Sequence, residues 1–181
     1  MDELKQFKQY GIIQRFVNET DAQFILSLRL DDKLSRFLSP TQNDITVQTA
    51  WIREYKKREL VGTEFYFITV DEAGERYGVN RLYNFDNDSF EVGSWLFKNG
   101  SPSSFSILSD LATRDYGFYT LGFKFCRFEV KKNNIAVLNY HKKFQPEITG
   151  EDEQTIFFRL SIDSYEIFKN KLLKIYNYGV K

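Results

Sequence analysis

A single histidine, His141, lies near the end of the segment VKKNNIAVLNYHKKF, residues 130–144. Because an imidazole titrates near neutral pH, it can donate or accept a proton during a reaction. Asn134, Val137 and His141 are three and four residues apart, and this spacing predicts one shared face of a short helix. The alternative is that His141 is a surface residue beside two lysines. The neighbouring phenol, Tyr140, would point about 100° away on the same helix.

A carboxylate in the strand-like run FEVGSWLF, residues 90–97, offers a second reactive group. Alternating side chains place Glu91 and Gly93 on one face of that strand. A carboxylate can accept a proton from an ammonium group, directly or through water, so Glu91 is the candidate general base. The alternative is a glutamate that faces solvent. Gly93 predicts a bulge or a close approach within the strand, since glycine has no side chain.

Sites of several other kinds have no match in the sequence. One histidine and one cysteine, Cys126, cannot supply a zinc-binding cluster, and we expect no metal. The sequence also lacks a Walker phosphate loop, a GxGxxG fingerprint and a GxSxG nucleophile motif. Cys126 lies in an apolar strand-like run, so we predict that its thiol is buried and unreactive.

The composition limits the classes of partner. The chain has 181 residues, which suits one domain over residues 1–181. Its 25 basic and 25 acidic side chains balance, which argues against a nucleic-acid or membrane partner. The first residues, MDELKQFKQYG, are charged, and no apolar run approaches the roughly 18 residues of a membrane span. We therefore expect a cytoplasmic protein.

The hydrophobic pattern predicts strands and helices along the whole chain. Strands are predicted at residues 10–17, 65–70, 76–85, 90–97, 123–130 and 155–160. Helices are predicted at residues 21–30, 44–55, 102–122, 134–144 and 163–176. This order predicts a mixed α/β (α+β) fold, in which a sheet has helices on both faces. The helix after Pro102 would form a βαβ crossover, so the strands on either side of it should run parallel.

The segment before that crossover helix, GSPSSFS at residues 100–106, is rich in serine. Unpaired amide groups and the helix dipole favour a phosphate at a helix N-terminus, so a cofactor would most naturally bind there. Serine hydroxyls can contact phosphate or cap the helix, but serine does not supply the backbone freedom of glycine. The alternative is an ordinary helix with a serine cap.

Four stretches, taken in order, resemble the GCN5-related N-acetyltransferase (GNAT) family from Tyr10 to about Leu172. They are LRL at residues 28–30 with Phe37-Leu38, the run FEVGSWLF, the run DYGFYTLG at residues 115–122, and residues 130–144. The resemblance implies the GNAT fold, with a central, mostly antiparallel, twisted sheet of about seven strands. It also implies direct attack of an amine on acetyl-CoA. The chain looks most like acyltransferases of nucleotide-linked amino-deoxysugars for surface polysaccharides or glycans. The traits behind this finer resemblance are WIREYKKRE, RLYNFD and FEVKKNNIAVLNYHKKF.

The resemblance also implies where acetyl-CoA binds. Backbone groups of Trp95, Leu96 and Phe97 would meet the pantetheine arm and the carbonyl, in a splay between the fourth and fifth strands. The pyrophosphate would sit on the serine-rich loop, with contacts from Ser101, Ser103, Ser104, Phe105 and Ser106. This loop departs from the family pattern because no second glycine follows Gly100.

The helix that carries the histidine would line the cofactor, again by resemblance. Asn134, Val137 and His141 would face it, with His141 as the acid for the leaving thiolate and Tyr140 as the fallback. After this helix the usual Gly-Phe is replaced by Gln145-Pro146, which would reshape the acceptor pocket or a dimer contact.

Four residues are predicted to line an acceptor pocket: Arg29, Trp51, Tyr55 and Tyr83. Aromatic rings stack on sugars or bases, and arginine can hold a phosphate in a fork geometry. The alternative for Trp51 is a core position on an amphipathic helix. Two other functions stay open, a protein N-terminal acetyltransferase of the ribosomal-protein type and a non-catalytic GNAT-fold binding module. The aromatic-rich surface also leaves a homodimer open.

Overall fold

The computed structural model describes residues 6–178. Its strands are β1 Gln6–Gln9, β2 Ile12–Phe16, β3 Phe65–Val70, β4 Arg76–Tyr83, β5 Ser89–Phe97, β6 Phe125–Lys131, β7 Glu147–Glu151 and β8 Thr155–Ser161. Its α-helices are α1 Ala22–Leu30, α2 Asp32–Ser35, α3 Ile45–Leu60, α4 Phe105–Asp115, α5 Ile135–Lys142 and α6 Ile162–Ile175. A 3-10 turn at Glu19–Asp21 precedes α1, and a π-helical turn at Tyr116–Thr120 follows α4.

The strands form one sheet in the order β1-β2-β3-β4-β5-β6-β8-β7. The pairs β1–β2, β2–β3, β3–β4, β6–β8 and β7–β8 are antiparallel. In contrast, β5 and β6 run parallel, with a register from Ser89–Phe125 to Glu91–Arg127. Because α4 connects these two strands, the predicted crossover and the predicted mixed α/β fold are confirmed. The sheet contains eight strands within the described range, where about seven were predicted.

The chain folds into two compact units. Unit 1 contains the residues up to Asn84 together with Gly93–Thr113, and unit 2 contains Phe85–Val92 together with the residues from Arg114 onward. Strand β5 contributes residues to both units. Among residues 6–178, none of the helices combines the length and the apolar character that a membrane span requires.

Unit 1 is organised around the apolar face of α3. Asp44 caps this helix by accepting the amides of Thr46 and Val47, and these two bonds lower the pKa of the Asp44 carboxyl. Ile52 and Tyr55, at helical spacing, are then directed into a core shared with α1, β3 and β4. The predicted start of this helix is confirmed.

Unit 2 has its own core, built from β6, β8, α5 and α6. Ser161 begins α6 as its N-cap, with its hydroxyl accepting the amide of Ser164. The alternation of β6 and β8 buries Phe128 and Phe158, whose rings stack at 5.2 Å. The apolar runs KFCRFEV and TIFFRL therefore predict their strands correctly.

The sequence pattern does not predict β1 and β7. Their sequences, QFKQ and EITGE, are short, largely polar and mostly exposed, so they lack the apolar alternation that indicates a strand. The predicted first strand is also wrong at its start. Tyr10 and Gly11 have φ angles of 53° and 70°, so they form the turn between β1 and β2.

The predicted long helix after Pro102 is two elements. It starts at Phe105, and after Asp115 its backbone widens into the π-helical turn. A Cβ on Gly117 would lie 2.5 Å from the ring of Phe90, so only glycine lets this turn approach β5 so closely. Gly122, with φ 79°, ends the segment where the sequence predicts.

Candidate active site

A cleft with a cavity volume of about 270 Å³ lies within unit 1. Trp51 supplies an aromatic wall, and the polar residues of the lining are Arg29, Thr41, Gln42, Gln48, Tyr66, Arg81 and Ser94. Among the lining residues that the structure describes there are two arginines and no acidic side chain, so the cleft presents positive charge to a ligand. The structure therefore brings together two of the residues predicted for the acceptor pocket, Arg29 and Trp51.

Arg81 is held in one orientation at this cleft. Its Nε donates to Glu64 Oε1 at 2.6 Å, and its guanidinium lies 5.1 Å from the Trp51 ring centroid and 4.4 Å from that of Tyr83. Glu64 also accepts from Arg58 Nε at 2.6 Å, and its side chain is only 4% exposed. A carboxylate with two guanidinium partners is well compensated in the interior, so Glu64 orients Arg81. Tyr83, predicted to line the pocket, packs against Arg81.

Arg29 reaches the cleft from α1. Its Nε donates to Thr41 Oγ1 at 2.6 Å, and one terminal nitrogen donates to the Ser39 carbonyl at 3.2 Å. These bonds tie α1 to the segment before α3, so the local backbone sets the position of the guanidinium. An arginine carries five N–H donors, so both arginines keep donors for a ligand.

Strand β5 is irregular at Gly93 and Ser94. Ser94 has φ 52°, a conformation that residues other than glycine rarely adopt. A Cβ on Gly93 would lie 2.7 Å from the Tyr83 hydroxyl, so the predicted close approach is confirmed. The Ser94 side chain lines the cleft and is hydrogen-bonded to Tyr66. Burial raises the pKa of Tyr66 to about 12, so its hydroxyl stays protonated near neutral pH.

Tyr55 does not line the cleft, contrary to the prediction. It is fully buried, and its ring stacks on that of Trp51 with an interplanar angle of 8°. Its hydroxyl accepts the amide of Tyr66 at 2.9 Å and donates to Glu59. Burial, and then the hydrogen bond to Glu59, raise the pKa of Tyr55. Tyr55 therefore packs against the ring of Trp51 and does not line the cleft. Trp51 itself both lines the cleft and packs against the core.

The end of β5 is fixed by close contacts on either side. Trp95 Nε1 donates to the Ser106 carbonyl at 3.0 Å, which ties the strand to the first turn of α4. A Cβ on Gly78 of β4 would lie 2.5 Å from the Leu96 carbonyl oxygen and 2.4 Å from the Phe97 ring. The backbone of residues 95–97 is thus held in place, while its contact with acetyl-CoA stays a prediction.

The serine-rich loop is stabilised partly by its own residues. Gly100 has φ 80°, and Ser101 Oγ donates to the Lys98 carbonyl at 2.8 Å, which closes the turn. The ring of Phe105 packs edge-on against Tyr77 at 5.1 Å. The hydroxyl of Ser101 and the ring of Phe105 therefore have structural roles, and their predicted contacts with acetyl-CoA stay predictions.

The other serines of the loop surround the N-terminus of α4. Ser103 is exposed, and Ser104 and Ser106 are half-buried, immediately before and within the first helical turn. The helix has 11 residues, so its dipole and first-turn amides favour an anion at this end. These hydroxyl and amide donors fit a pyrophosphate group, although no second glycine is present.

Glu91 lies in unit 2, in a separate pocket of about 380 Å³. Its partner on the parallel strand is Arg127, and Glu129, Arg159 and the ring of Phe157 line the same pocket. The half-buried carboxylate thus shares a polar environment with two arginines and a second carboxylate. Its role as a base stays a prediction.

His141 is a buried residue of unit 2. It is 5% exposed, its ring centroid is 4.5 Å from that of Phe128, and Nδ1 is 3.5 Å from a guanidinium nitrogen of Arg114. Burial, and then the charge of Arg114, lower the pKa of His141 well below 6.5. At neutral pH the ring is therefore neutral and holds no imidazolium proton for a thiolate. The surface interpretation is therefore wrong. The lowered pKa argues against His141 as the acid for the thiolate, and its contact with acetyl-CoA stays a prediction.

The neighbours of His141 explain its burial. Arg114 is fully buried, donates to the Cys126 sulfur at 2.9 Å and lies 4.9 Å from the Phe128 ring centroid. Cys126 is fully buried, as the sequence predicts. Asn134, Val137 and Tyr140 are half-buried, and their roles at a cofactor stay predictions.

Sequence reasoning missed Arg81, Glu64, Tyr66 and Ser94. A signal for one of them was present, because the alternation in RLYNFD places Arg81 on the same face as the predicted Tyr83. Tyr66 follows from the register, since it is the partner of Arg81 across β3 and β4. The position of Ser94 depends on a backbone irregularity that the sequence suggests only through Gly93.

Comparisons with known proteins agree on the family. The family model described as an acetyltransferase (GNAT) domain matches residues 12–145. The structure of apo FdhC, described as a nucleotide-linked sugar GNAT, is 35% identical with a TM-score of 0.83, over 98% of this chain and 100% of that chain. A search of curated proteins gave no match.

Two more distant structures show the same fold. The ribosomal-protein-S5-alanine acetyltransferase from Vibrio fischeri is 14% identical with a TM-score of 0.74, over 89% of this chain and 98% of that chain. The spermidine N-acetyltransferase from Vibrio cholerae, in complex with CoA and spermine, is 14% identical with a TM-score of 0.73, over 87% of this chain and 99% of that chain.

Proposed function

This chain belongs to the GNAT acetyltransferase family and is an acyltransferase, and we propose that it transfers the acetyl group of acetyl-CoA to the amine of a nucleotide-linked amino-deoxysugar. The observation that carries the proposal is the cleft of unit 1, with two arginines and no acidic residue in its described lining. A nucleotide-linked sugar brings phosphate charge that such a cleft attracts, whereas a polyamine would be repelled. The 35% identity to a nucleotide-linked sugar GNAT supports the same acceptor class.

Acetyl-CoA, when bound, supplies the acetyl group as a thioester. The first turn of α4, with Ser103, Ser104 and Ser106, would hold the pyrophosphate through hydroxyl and amide donors. Backbone groups of residues 95–97 would orient the pantetheine arm and the thioester carbonyl. The bond from Trp95 to Ser106 links these two contact regions and fixes their spacing. Positioning of this kind can supply much of the rate acceleration of an acyl transfer.

Two proton transfers accompany direct attack of the amine. Glu91 is the proposed base, because a carboxylate can take the ammonium proton directly or through water. With His141 neutral and buried, the proposed acid for the leaving thiolate is Tyr140, a half-buried phenol on α5. Amine attack, loss of the ammonium proton and protonation of the thiolate complete the reaction without a covalent enzyme intermediate.

The proposal is tested by following the free thiol of CoA during turnover of a UDP- or TDP-linked amino-deoxysugar. We expect thiol release that requires both substrates, and Glu91→Gln should lower kcat by at least tenfold with little change in the KM for acetyl-CoA. Glu129→Gln is the matched control, because this glutamate lines the same pocket. Equal loss of activity in both variants would remove Glu91 from the role of base.

A titration with acetyl-CoA, with desulfo-CoA as a control ligand, separates the enzyme from the non-catalytic binding module. Binding at micromolar concentration supports the serine-rich loop as the pyrophosphate site. Absence of binding at millimolar concentration would contradict the proposed reaction and favour the binding module.

A further inference from the structure

We propose that Arg29 and Arg81 bind the diphosphate group of the acceptor, and that Glu64 is the positioning residue that directs Arg81 toward it. This inference rests on the proposed function, since it names the part of the acceptor that the cleft of unit 1 recognises. It assigns roles to Arg81 and Glu64, which the sequence alone does not single out.

The two guanidinium groups enter the cleft from different elements. Arg29 comes from α1 and Arg81 from β4, and both line the same cleft of about 270 Å³. Two phosphates joined by one oxygen present several anionic oxygens along a short distance. Two separate guanidinium groups can therefore share one diphosphate, each through paired N–H donors.

The hydrogen bonds of each arginine leave donors on its ligand-binding side. Arg81 uses Nε for Glu64, which leaves its two terminal nitrogens for an anion. Arg29 uses Nε for Thr41 and one terminal nitrogen for the Ser39 carbonyl, which leaves the other terminal nitrogen. A guanidinium group can thus be held by a hydrogen bond from Nε and still present N–H donors on its terminal nitrogens.

Packing restricts Arg81 further. Its guanidinium lies over the rings of both Trp51 and Tyr83, and Trp51 is itself stacked on the buried Tyr55. A side chain that is already ordered loses little conformational entropy when it binds a ligand. The aromatic residues predicted to touch the acceptor therefore contribute largely by orienting an arginine.

Glu64 is the residue that makes this orientation specific. Its side chain is 4% exposed, and its two carboxylate oxygens bind Arg58 and Arg81 separately at 2.6 Å. Removing its charge would leave the position of Arg81 set by ring packing alone. Glu64 acts through Arg81, so its substitution should change acceptor affinity and leave the chemical step unchanged.

The test is isothermal titration of UDP and TDP into the full chain, without acyl donor or sugar. We expect micromolar binding to the unmodified protein and at least tenfold weaker binding to Arg29→Gln and Arg81→Gln. Glu64→Gln should weaken binding severalfold, while Arg81→Lys should retain more affinity than Arg81→Gln because it keeps the positive charge. The control is Arg53→Gln, an exposed α3 arginine paired with Glu19, which should bind normally.

Kinetics distinguish positioning from simple loss of structure. Glu64→Gln should raise the KM for the nucleotide-linked acceptor while kcat and the KM for acetyl-CoA stay within about twofold, and Glu64→Asp should recover part of the loss. A parallel fall in kcat and in thermal stability would instead show that Glu64 is only structural. Arg81→Lys, which keeps the charge, then still tests the diphosphate assignment.

The outcomes separate this inference from the proposed function. Acyl transfer to the nucleotide-linked sugar without any binding of UDP or TDP would overturn the inference and leave the function intact. Nucleoside diphosphate binding that depends on Arg29 and Arg81, without acyl transfer to any amine, would uphold the assignment of the two arginines to a diphosphate group and overturn the proposed function. Equal weakening in Arg53→Gln would overturn the inference, because the attraction would then be a general effect of charge.

Discussion

At the scale of single residues, burial decides what His141 can do. The imidazole lies against Phe128 and beside the buried guanidinium of Arg114. Burial and then the positive charge of Arg114 both disfavour its charged form. In the unfolded chain the same imidazole takes up a proton near pH 6.5. The unfolded state therefore binds more protons than the native state below that pH, and acid favours unfolding.

This linkage predicts how stability depends on pH. As the pH falls from 6.5 toward the lower native pKa of His141, the unmodified protein should lose stability relative to His141→Gln, by up to about 1.4 kcal/mol per pH unit. Urea unfolding of both proteins at pH 5.5, 6.5, 7.5 and 8.5 measures the difference. Above pH 7.5 the free energies of unfolding of the two proteins should change with pH in parallel. Identical slopes below pH 6.5 would show that the imidazole is not held neutral.

Residue types alone could not predict this environment. The helical spacing of Asn134, Val137 and His141 is visible in the sequence, but the sequence does not show which side of the helix meets the core. That depends on Arg114, 27 positions earlier, which donates to Cys126 and lies over Phe128. The burial of Cys126 was predictable, because alternate residues of an apolar strand face the core and free cysteine is commonly buried.

At the scale of elements, the packing of β4 on β5 is set by Gly78. A Cβ there would lie 2.5 Å from the Leu96 carbonyl oxygen, a backbone atom that cannot move without moving the strand. Strand β5 carries the predicted acetyl-CoA contacts at residues 95–97. The absence of one side chain on β4 therefore controls the position of the candidate cofactor strand.

Gly78→Ala should lower both stability and cofactor affinity. We expect a loss of about 1–3 kcal/mol in the free energy of unfolding, because the added methyl group overpacks the site, together with weaker acetyl-CoA binding. Chemical denaturation and titration calorimetry measure the two effects. Gly150→Ala is the control, since its Cβ would lie 3.9 Å from Phe157 and should change stability by less than about 1 kcal/mol. Normal acetyl-CoA binding by Gly78→Ala would contradict the assignment of β5 to the cofactor site.

The N-terminus of α4 allows a test in which stability and binding move in opposite directions. Ser103→Asp places a carboxylate at the positive end of the helix, which should leave stability unchanged or raise it by about 0.3–1 kcal/mol. The same charge would repel a pyrophosphate, so the Kd for acetyl-CoA should rise at least tenfold. Thermal unfolding and calorimetric titration of one protein preparation measure both quantities.

The control for this substitution is Ser164→Asp, in the first turn of α6. It adds the same charge to another helix N-terminus and should leave acetyl-CoA binding unchanged. Equal affinity in the two variants would show that the serine-rich loop is not the pyrophosphate site.

Elements with a strong local sequence pattern were predictable, and elements with a weak pattern were not. The run FYFITV coincides with β3, and Asp44 caps α3 as predicted. In contrast, β1 and β7 are polar edge elements of the sheet order, and their pairing with β2 and β8 supplies what their sequences lack. Each of them depends on pairing with the neighbouring strand across a turn, and its own polar sequence does not indicate that pairing.

At the scale of the whole molecule, the order of elements predicted the crossover, and four stretches of sequence in that order carried the resemblance to the family. The parallel register of β5 and β6 follows from α4 between them. The cleft could be predicted only in part, because its walls come from five distant stretches of chain. Arg29 and Trp51 were singled out by residue type, but the charge balance of the cleft appears only when Arg81, Tyr66 and Ser94 join them.

An acceptor competition in one reaction tests the proposed acceptor class. The protein is given acetyl-CoA with equal concentrations of a UDP- or TDP-linked amino-deoxysugar, spermidine and a peptide with an N-terminal alanine, and the acetylated products are identified by mass spectrometry. We expect the nucleotide-linked sugar to carry nearly all of the transferred acetyl group. Preferential acetylation of spermidine or of the peptide, or no acetylated product at all, would contradict the proposed function.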